Sequence, residues 1–361
     1  MCGGSPGRGE RKSSAGGPAS GRPADTQRDA DGTRQSSSTS GQGAEHPARD
    51  HKTSVFRSDD YGPPQQEDDA KRRRKARQHM IIEAGQVAVV TGAAQGLGRA
   101  LAAGLVDRGL SVVLADVAKE PLHDTAEKFT ASGADVLAVI TDVSDPAAVT
   151  TLACRTLEHF GRVDLVVNNA GIATGSGGQP LWQTSPETWQ RVLAVNVLGV
   201  VHGLHAFMPH LVTAGAGHVV NIASLAGLST WPFGAAYCAS KHAVVAISET
   251  LHRELELMGL RIGVTVACPG LVRTPLGERL IALVQADPAG AEHMPAPGGS
   301  AAEVRALLQR LMTTLIEPEV AAERILTAVE ADRLHALTHG DPDDDARRRV
   351  EGILAALGAH R

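Results

Sequence analysis

The 361-residue sequence is poor in aromatic residues, in cysteine and in metal-ligand patterns. Its four cysteines form no Cys-x2-Cys pair, and neither they nor the 15 histidines show the spacing of a zinc site, so no metal is expected. A chain of this length can bury a core without disulfides, and unpaired thiols suit a reducing compartment. Aromatic residues make up 3% of the chain, and its two tyrosines are Tyr61 and Tyr237.

Long apolar runs and a secretion signal are also missing. We see no run that approaches the ~18 apolar residues needed to cross a membrane. The first residues, MCGGSPGRGERK, lack the apolar segment of a signal peptide. The sequence therefore predicts a cytoplasmic protein that does not bind a membrane.

The composition changes sharply near Met80. Residues 1–79 carry 15 Lys and Arg against 11 Asp and Glu and hold few large apolar side chains, so we expect a disordered tail with a net charge of +4. The remainder has a net charge of −9. The basic run at 71–77 could attract phosphates or anionic lipid, but a solvated stretch explains it as well, and no nucleic-acid partner is expected. Translation could also begin at Met80.

From Met80 onward, short apolar runs alternate with longer helical stretches. The candidate strands are Val87–Val90, Ser111–Leu114, Val136–Val139, Leu165–Val167, His218–Asn221 and Arg261–Val266, with a last short run at His335–Thr338. Runs that are apolar throughout are typical of strands covered on both faces. We therefore predict an α/β fold with a doubly wound parallel sheet in three α/β/α layers. It forms a single domain over 80–340, followed by a helical extension at 341–361.

A glycine-rich turn follows the first candidate strand and opens a helix. Glycines at this spacing let the backbone approach a pyrophosphate, and the N–H groups of the helix N-terminus face its charge. A strand before and a helix after make the pattern far more specific than a glycine triplet by itself. The expected phosphate-binding residues are Gly92, Gln95, Gly96, Leu97 and Gly98.

An acidic residue, Asp116, ends the second candidate strand, 18 residues after Gly98. Its carboxylate can accept hydrogen bonds from the adenosine ribose, and it repels the extra phosphate of NADP. The cofactor expected from this residue is NAD rather than NADP. After the third strand, the Asp142 carboxylate next to Val143 could accept from the adenine amino group, or it could cap the following helix.

Tyr237 and Lys241 lie four residues apart in a stretch with helical character that runs to about Met258. This spacing places both on one helix face. A neighbouring ammonium favours the phenolate, so we expect Lys241 to pull the pKa of Tyr237 from ~10 toward neutrality. A phenol with such a pKa can act as a general acid or base. Such pairs also occur by chance in many helices.

Six motifs together resemble the short-chain dehydrogenase/reductase family. They are Thr91-Gly92-x3-Gly96-x-Gly98, Asn168-Asn169-Ala170-Gly171, Asn196, Ser224, Tyr237-x3-Lys241 and the segment Pro269–Thr274. The order agrees, and Ser224 precedes Tyr237 by 13 residues. The resemblance spans about 260 residues and implies a Rossmann-type fold. It leaves out the tail and much of 276–316. Ala223 stands where the family often has a second serine.

The resemblance implies a role for each matching residue. Tyr237 would exchange a proton with the substrate oxygen, Ser224 would orient that oxygen, and Lys241 would lower the Tyr237 pKa and hold the nicotinamide ribose. Asn196 would hold a water that relays protons from Lys241. The further cofactor-binding residues implied by the family are Asn169, Ala170, Gly171, Pro269, Gly270, Val272 and Thr274.

The region after Thr274 folds over the substrate in the family and varies with it. Here 276–316 joins two apolar, helix-like stretches by a Pro- and Gly-rich segment, which suggests a mobile lid. The apolar residues expected to line the substrate side are Leu276, Leu280, Leu283, Trp231 and Phe233. They favour a hydrophobic alcohol or ketone, although Trp231 could equally be core.

These patterns predict an oxidoreductase that interconverts a secondary alcohol and a ketone with NAD. The enzymatic alternative is an NADP-dependent carbonyl or 3-oxoacyl reductase. A non-enzyme alternative is a dinucleotide-sensing regulator on the same fold, which would be expected to lack the catalytic Tyr or Lys. Family members commonly pair their long helices between subunits, so a homodimer or homotetramer is expected.

Overall fold

The computed structural model of the chain describes residues 82–173, 180–232, 234–278, 314–340 and 345–358. The predicted tail and most of the predicted lid lie outside these residues. The division of the chain into tail, domain, lid and extension therefore stays a prediction.

Seven parallel strands form one sheet in the order β3-β2-β1-β4-β5-β6-β7. They are β1 Val87–Thr91, β2 Ser111–Asp116, β3 Val136–Ile140, β4 Leu165–Asn168, β5 Gly217–Ile222, β6 Ile262–Cys268 and β7 His335–Leu337. Each of the seven candidate strands is confirmed within two residues at either end. The order reverses direction between β1 and β4, and crevices for ligands form at such switch points, outside the carboxyl ends of the strands.

Helices connect the strands and cover both faces of the sheet, which confirms the predicted doubly wound fold. They are α1 Gly96–Asp107, α2 Lys119–Ala131, α3 Pro146–Phe160, α4 Pro186–Leu193, α5 Gly199–Ala214, α6 Ala235–Leu257, α7 Pro318–Glu330 and α8 Asp345–Gly358. A π-helical turn, Ala194–Leu198, joins α4 to α5, and 3-10 turns lie at Leu181–Gln183 and Leu225–Gly227.

Alternate residues of the central strands enter two separate cores. One core packs side chains such as Val90 and Leu114 against α1, α2 and α7, and the other packs Val89 and Val113 against α3, α5 and α6. This alternation follows from the period of two in a strand. Because both faces are buried, the strands are apolar throughout, and polar residues collect where the strands end.

One helical stretch among the described residues, Pro186–Ala214, is long and apolar enough to cross a membrane by length and composition. The expectation that no run reaches this length is therefore wrong. Its histidines and Asn196 interrupt the apolar residues, so the stretch contains no continuous apolar run. Phe207 and Leu211 of this stretch are buried in the core against the sheet, and 33% of its most apolar window is buried.

Candidate active site

The turn between β1 and α1 has the backbone shape that the glycine pattern predicts. Gly92 has a φ of +66°, a conformation that L side chains rarely adopt. A Cβ on Gly98 would lie 2.0 Å from the Gly92 carbonyl oxygen, so the helix can start this close to the turn only with glycine there. The turn therefore presents the N-terminus of α1 to the crevice, where its N–H groups can bind a phosphate.

Thr91 connects this turn to the end of β4. Its hydroxyl oxygen accepts hydrogen bonds from the N–H groups of Asn169 (2.9 Å) and Ala170 (3.1 Å), and it donates to the Val167 carbonyl. The Asn169 side chain donates back to the Thr91 and Gly92 carbonyls, at 2.8 and 3.2 Å. The structure thus brings two predicted cofactor segments together through Thr91. Thr91 belongs to the glycine motif but is not among the predicted site residues.

Asp116 lies at the end of β2 beside the glycine turn. One oxygen of its carboxylate accepts from the Ala94 N–H at 3.0 Å, and the other accepts from the Ala118 N–H at 2.9 Å. These bonds hold the carboxylate next to the phosphate-binding turn, where the ribose of a dinucleotide would lie. Arg99 is on the exposed side of α1.

Asp142 and Val143 follow β3. The Asp142 carboxylate accepts from both the N–H and the hydroxyl of Ser144, at 2.9 and 2.7 Å, and so forms a turn ahead of α3. The cap of α3 is Asp145, whose side chain accepts from Ala147 N–H. The alternative of Asp142 as the helix cap is therefore wrong. The buried Val143 side chain packs on Gly199.

Ser224, Tyr237 and Lys241 meet at the carboxyl end of β5. Ser224 follows this strand, and its hydroxyl donates to the Pro269 carbonyl at 3.3 Å and contacts the Tyr237 side chain. Lys241 is one helix turn beyond Tyr237 and is 4% exposed. Its ammonium donates to the Ile222 carbonyl at 2.9 Å and lies 5.7 Å from the Tyr237 ring centroid.

The titration of this pair differs from the sequence prediction. Burial raises the pKa of Tyr237 to about 12, although its contact with Ser224 acts in the opposite direction. Burial also lowers the pKa of Lys241 to about 8. The expected shift of the Tyr237 pKa toward neutrality is therefore wrong for this structure. Desolvation of the phenol, which raises its pKa, outweighs the effect of the Lys241 ammonium, because that ammonium donates to the Ile222 carbonyl and not to the phenol.

Asn196 lies in the π-helical turn, which directs its side chain toward the end of β4. Its side-chain oxygen accepts from Ile172 N–H at 2.8 Å, and its amide donates to the Ile172 carbonyl at 2.9 Å and to the Ser240 hydroxyl at 3.0 Å. A Cβ placed on Gly171 would lie 3.4 Å from the Asn196 side-chain oxygen and 3.5 Å from the Lys241 ammonium. Asn196 and Lys241 thus flank the same glycine.

The segment Pro269–Thr274 is held over the same end of the sheet. Val272 pairs with Ile316, and the Arg273 N–H donates to the Ile316 carbonyl at 2.9 Å. A Cβ on Gly96 would lie 3.1 Å from the Thr274 side chain, so this segment reaches the phosphate-binding turn. Sequence reasoning also missed Ser240, and nothing in the motif spacing indicates its bond to Asn196.

The predicted substrate side is partly described. Trp231 and Leu276 are half-buried. Phe233, Leu280 and Leu283 lie outside the described residues, as does the middle of the predicted lid. Within the described ranges, no group of three His, Cys, Asp or Glu side chains could hold a metal ion.

The arrangement supplies a phenol, a hydroxyl and an ammonium at one point and a phosphate-binding turn nearby, which suits proton transfer beside a bound dinucleotide. The family model for short chain dehydrogenases matches residues 86–282. The chain belongs to the short-chain dehydrogenase/reductase family. It is an NAD(P)-dependent oxidoreductase that acts on CH–OH groups of small-molecule alcohols.

Curated relatives and solved structures agree with this membership. The 1-deoxy-11-beta-hydroxypentalenate dehydrogenase of Streptomyces avermitilis is 36% identical over 255 residues, which cover 70% of this chain and 84% of the relative. The 2-(R)-hydroxypropyl-CoM dehydrogenase of Xanthobacter autotrophicus is 40% identical over 53% of this dehydrogenase and 76% of its own length. A short-chain dehydrogenase/reductase from Burkholderia phymatum, solved with NAD, is 37% identical, with a TM-score of 0.66 over 77% of this chain and 97% of that one.

Proposed function

We propose that this dehydrogenase oxidises a hydrophobic secondary alcohol to a ketone with NAD, and catalyses the reverse reaction, through Ser224, Tyr237, Lys241 and Asn196. The observation that carries the proposal is the meeting of Ser224, Tyr237 and the buried Lys241 at the carboxyl end of β5. The names of the pentalenate and hydroxypropyl-CoM relatives, both hydroxy-compound dehydrogenases, support an alcohol substrate.

Each side chain has a distinct part in the proposed reaction. The hydride chemistry at the alcohol carbon would be supplied by a nicotinamide cofactor when one is bound. Ser224 hydrogen-bonds the substrate oxygen. Tyr237 donates its proton to that oxygen during reduction, and in oxidation its phenolate, formed once the phenol has released its proton, takes the proton of the alcohol. Because the pKa of Tyr237 is raised to about 12, the phenol is protonated at neutral pH and suited to donate to a ketone oxygen.

Lys241 and Asn196 support proton movement around Tyr237. The burial that lowers the pKa of Lys241 to about 8 brings its proton exchange close to neutral pH. Asn196 is fixed by three hydrogen bonds and flanks Gly171 together with Lys241. We infer that a water beside Gly171 relays protons between these groups and solvent.

The central test replaces the phenol. Tyr237→Phe removes the hydroxyl that exchanges the proton and keeps the ring, so turnover should fall by about 10²–10⁴-fold. The dissociation constant for NADH, measured by fluorescence titration, should change by less than about threefold, since the ring still packs against the cofactor site. Retained turnover of a secondary alcohol would refute the catalytic assignment. Loss of both turnover and NADH binding would point to a collapsed site.

Asp116 carries the proposed preference for NAD. Its carboxylate is held by the Ala94 and Ala118 N–H groups, and Asp116→Asn keeps an acceptor for one of the two while it removes the charge. The ratio of kcat/KM with NAD to that with NADP should fall by roughly tenfold or more, because the repulsion of the 2′-phosphate is lost. Steady-state kinetics with both cofactors measure this ratio. A wild-type preference for NADP would instead favour the carbonyl-reductase alternative.

The substrate and assembly remain proposals as well. We propose an apolar substrate because Trp231 and Leu276, which the sequence predicts to line the substrate side, are half-buried and apolar. A screen of secondary alcohols of increasing chain length with NAD should show kcat/KM rising with apolar length. We also propose a cytoplasmic homodimer or homotetramer, which sedimentation equilibrium would detect as two or four times the chain mass. A regulator without activity is disfavoured because Tyr237 and Lys241 are both present.

A further inference from the structure

His339 follows the edge strand β7 and contacts the backbone of the segment Pro269–Thr274. The Gly270 N–H donates to Nδ1 of His339 at 3.0 Å, and Nε2 of the same ring lies 3.1 Å from the Leu271 carbonyl oxygen. One imidazole thus bonds to the backbone of two adjacent residues, to the N–H of Gly270 and to the carbonyl of Leu271. These two residues are 69 and 68 positions away along the chain.

The hydrogen bonds fix the protonation state of the ring. A backbone N–H is always a donor, so Nδ1 must be an acceptor and carries no proton. The Leu271 carbonyl is always an acceptor, so Nε2 must carry the proton. The Thr338 hydroxyl also lies 2.7 Å from Nδ1. Only the neutral Nε2–H form of His339 satisfies both the Gly270 N–H and the Leu271 carbonyl.

Shape and anchorage reinforce this arrangement. A Cβ on Gly270 would lie 2.7 Å from the His339 ring, so glycine lets the backbone lie directly on the imidazole. The Leu271 carbonyl also accepts from the Ile316 N–H at 3.2 Å. The Arg324 side chain of α7 donates to the Thr338 carbonyl, so the residue next to His339 is tied to α7.

We propose that His339 is a positioning residue for the cofactor: it holds the Gly270–Leu271 backbone in the shape that lets Pro269–Thr274 close over the nicotinamide end. This inference rests on the proposed function, because it takes that segment as part of the cofactor site. The segment extends from Pro269, whose carbonyl accepts a hydrogen bond from the Ser224 hydroxyl, to Thr274, whose side chain lies against Gly96. A shift of the Gly270 backbone would therefore change the position of Pro269 beside Ser224 and of Thr274 beside the phosphate-binding turn.

Protonation of His339 would break this contact, because Nδ1–H and the Gly270 N–H would then face each other as two donors. The groups that face the imidazole are the Gly270 and Leu271 backbone, the Thr338 hydroxyl, the Thr314 backbone and the Arg324 guanidinium. Burial chiefly, and the Arg324 charge in addition, lower the pKa of His339 below its usual value of 6.5, against the opposing carbonyl contacts. The contact therefore holds at neutral pH and is lost in acid.

The test measures the dissociation constant for NADH by fluorescence titration from about pH 5 to 7.5. His339→Leu removes both hydrogen bonds, and we expect the dissociation constant at pH 7.5 to rise roughly tenfold while kcat at saturating cofactor changes less than about threefold. His339→Asn keeps an acceptor for the Gly270 N–H and does not titrate. It should recover most of the affinity and bind NADH equally across the range. The matched control is His335→Ala, which removes an exposed histidine of β7 that bonds to Glu249.

Each outcome supports or overturns the inference. Wild-type affinity in His339→Leu overturns it, and so does an acid loss of affinity in His339→Asn as steep as in the wild type. If His339→Leu does not fold, as thermal unfolding would show, the pH profile of His339→Asn alone is decisive. Saturable NADH binding by the wild type with identical binding by the variants refutes His339 positioning and leaves the proposed function intact. Wild-type protein that binds neither NADH nor NADPH refutes both.

Discussion

Gly171 separates two of the proposed catalytic side chains. Because a methyl group here would touch the Asn196 side-chain oxygen and the Lys241 ammonium at 3.4 and 3.5 Å, Gly171→Ala should exclude a bridging water. We expect kcat to fall roughly tenfold with little change in NADH binding, measured by steady-state kinetics and titration. Gly352→Ala, in a helix position with open space around it, is the control. Unchanged turnover in Gly171→Ala would argue against the relay.

At the residue scale, sequence reasoning identified the groups but not their environment. Spacing placed Tyr237 and Lys241 on one helix face, as the structure has them. The pKa of Tyr237 is raised, although the spacing predicted that it would be lowered. Spacing carries no information about burial or about the Ile222 carbonyl that binds Lys241. His339 could not be found for a related reason. Its partners are 68 and 69 residues away, and a single histidine beside a threonine has no motif.

At the scale of elements, a buried chain of side-chain hydrogen bonds joins β4, β5 and α6. The Asn168 amide donates to the Asn221 side-chain oxygen at 2.9 Å, and the Asn221 amide donates to the Ser248 hydroxyl at 3.0 Å. Asn221→Ala would leave a donor and an acceptor unpaired in the core. We expect the free energy of unfolding to fall by about 3 kcal/mol in urea titrations. The control is Ser144→Ala, at an exposed turn. A loss of unfolding free energy below about 1 kcal/mol in Asn221→Ala would contradict the expectation.

The elements themselves were the most predictable part of the fold. Each strand is a short run of apolar β-branched or aliphatic residues, and this pattern is local. The order of the strands and the π-helical turn at Asn196 depend on packing between distant segments, which local periodicity does not encode. In the helical stretch Pro186–Ala214, local composition is misleading. The composition resembles that of a membrane span, although Phe207 and Leu211 pack on the sheet.

For the whole molecule, His218 makes stability depend on pH. Its Nε2 lies 2.9 Å from the Thr265 hydroxyl, whose own proton goes to the Arg333 carbonyl, so Nε2 donates, while its buried Nδ1 has no partner among the described residues. Burial lowers the pKa of His218 to about 3. Since this value lies below the ~6.5 of an unfolded histidine, the unfolded state takes up the proton first, and stability falls as pH decreases from about 6.5 toward 3.

The size of this effect can be measured. His218 should contribute about 1.4 kcal/mol of lost unfolding free energy per pH unit below about pH 6. His218→Gln keeps a donor near Nε2 and does not titrate, so its stability should fall less steeply with acid. Urea unfolding at intervals between about pH 7 and 4.5 gives both slopes. Parallel slopes for the two proteins would remove His218 from the acid response.

The packing of α7 on α1 also delays the completion of folding during synthesis, because α7 lies far along the chain from α1. Leu326 of α7 is buried against Gly104 of α1, and Arg108 at the end of α1 bonds to Glu323, 215 residues later. At a synthesis rate of about 5–20 residues per second, the helix behind the phosphate-binding turn waits roughly 10 to 40 s on the ribosome for its partner. During that time the part of α1 that Leu326 covers is not yet packed against α7, although α1 can already pack on β1 and β2.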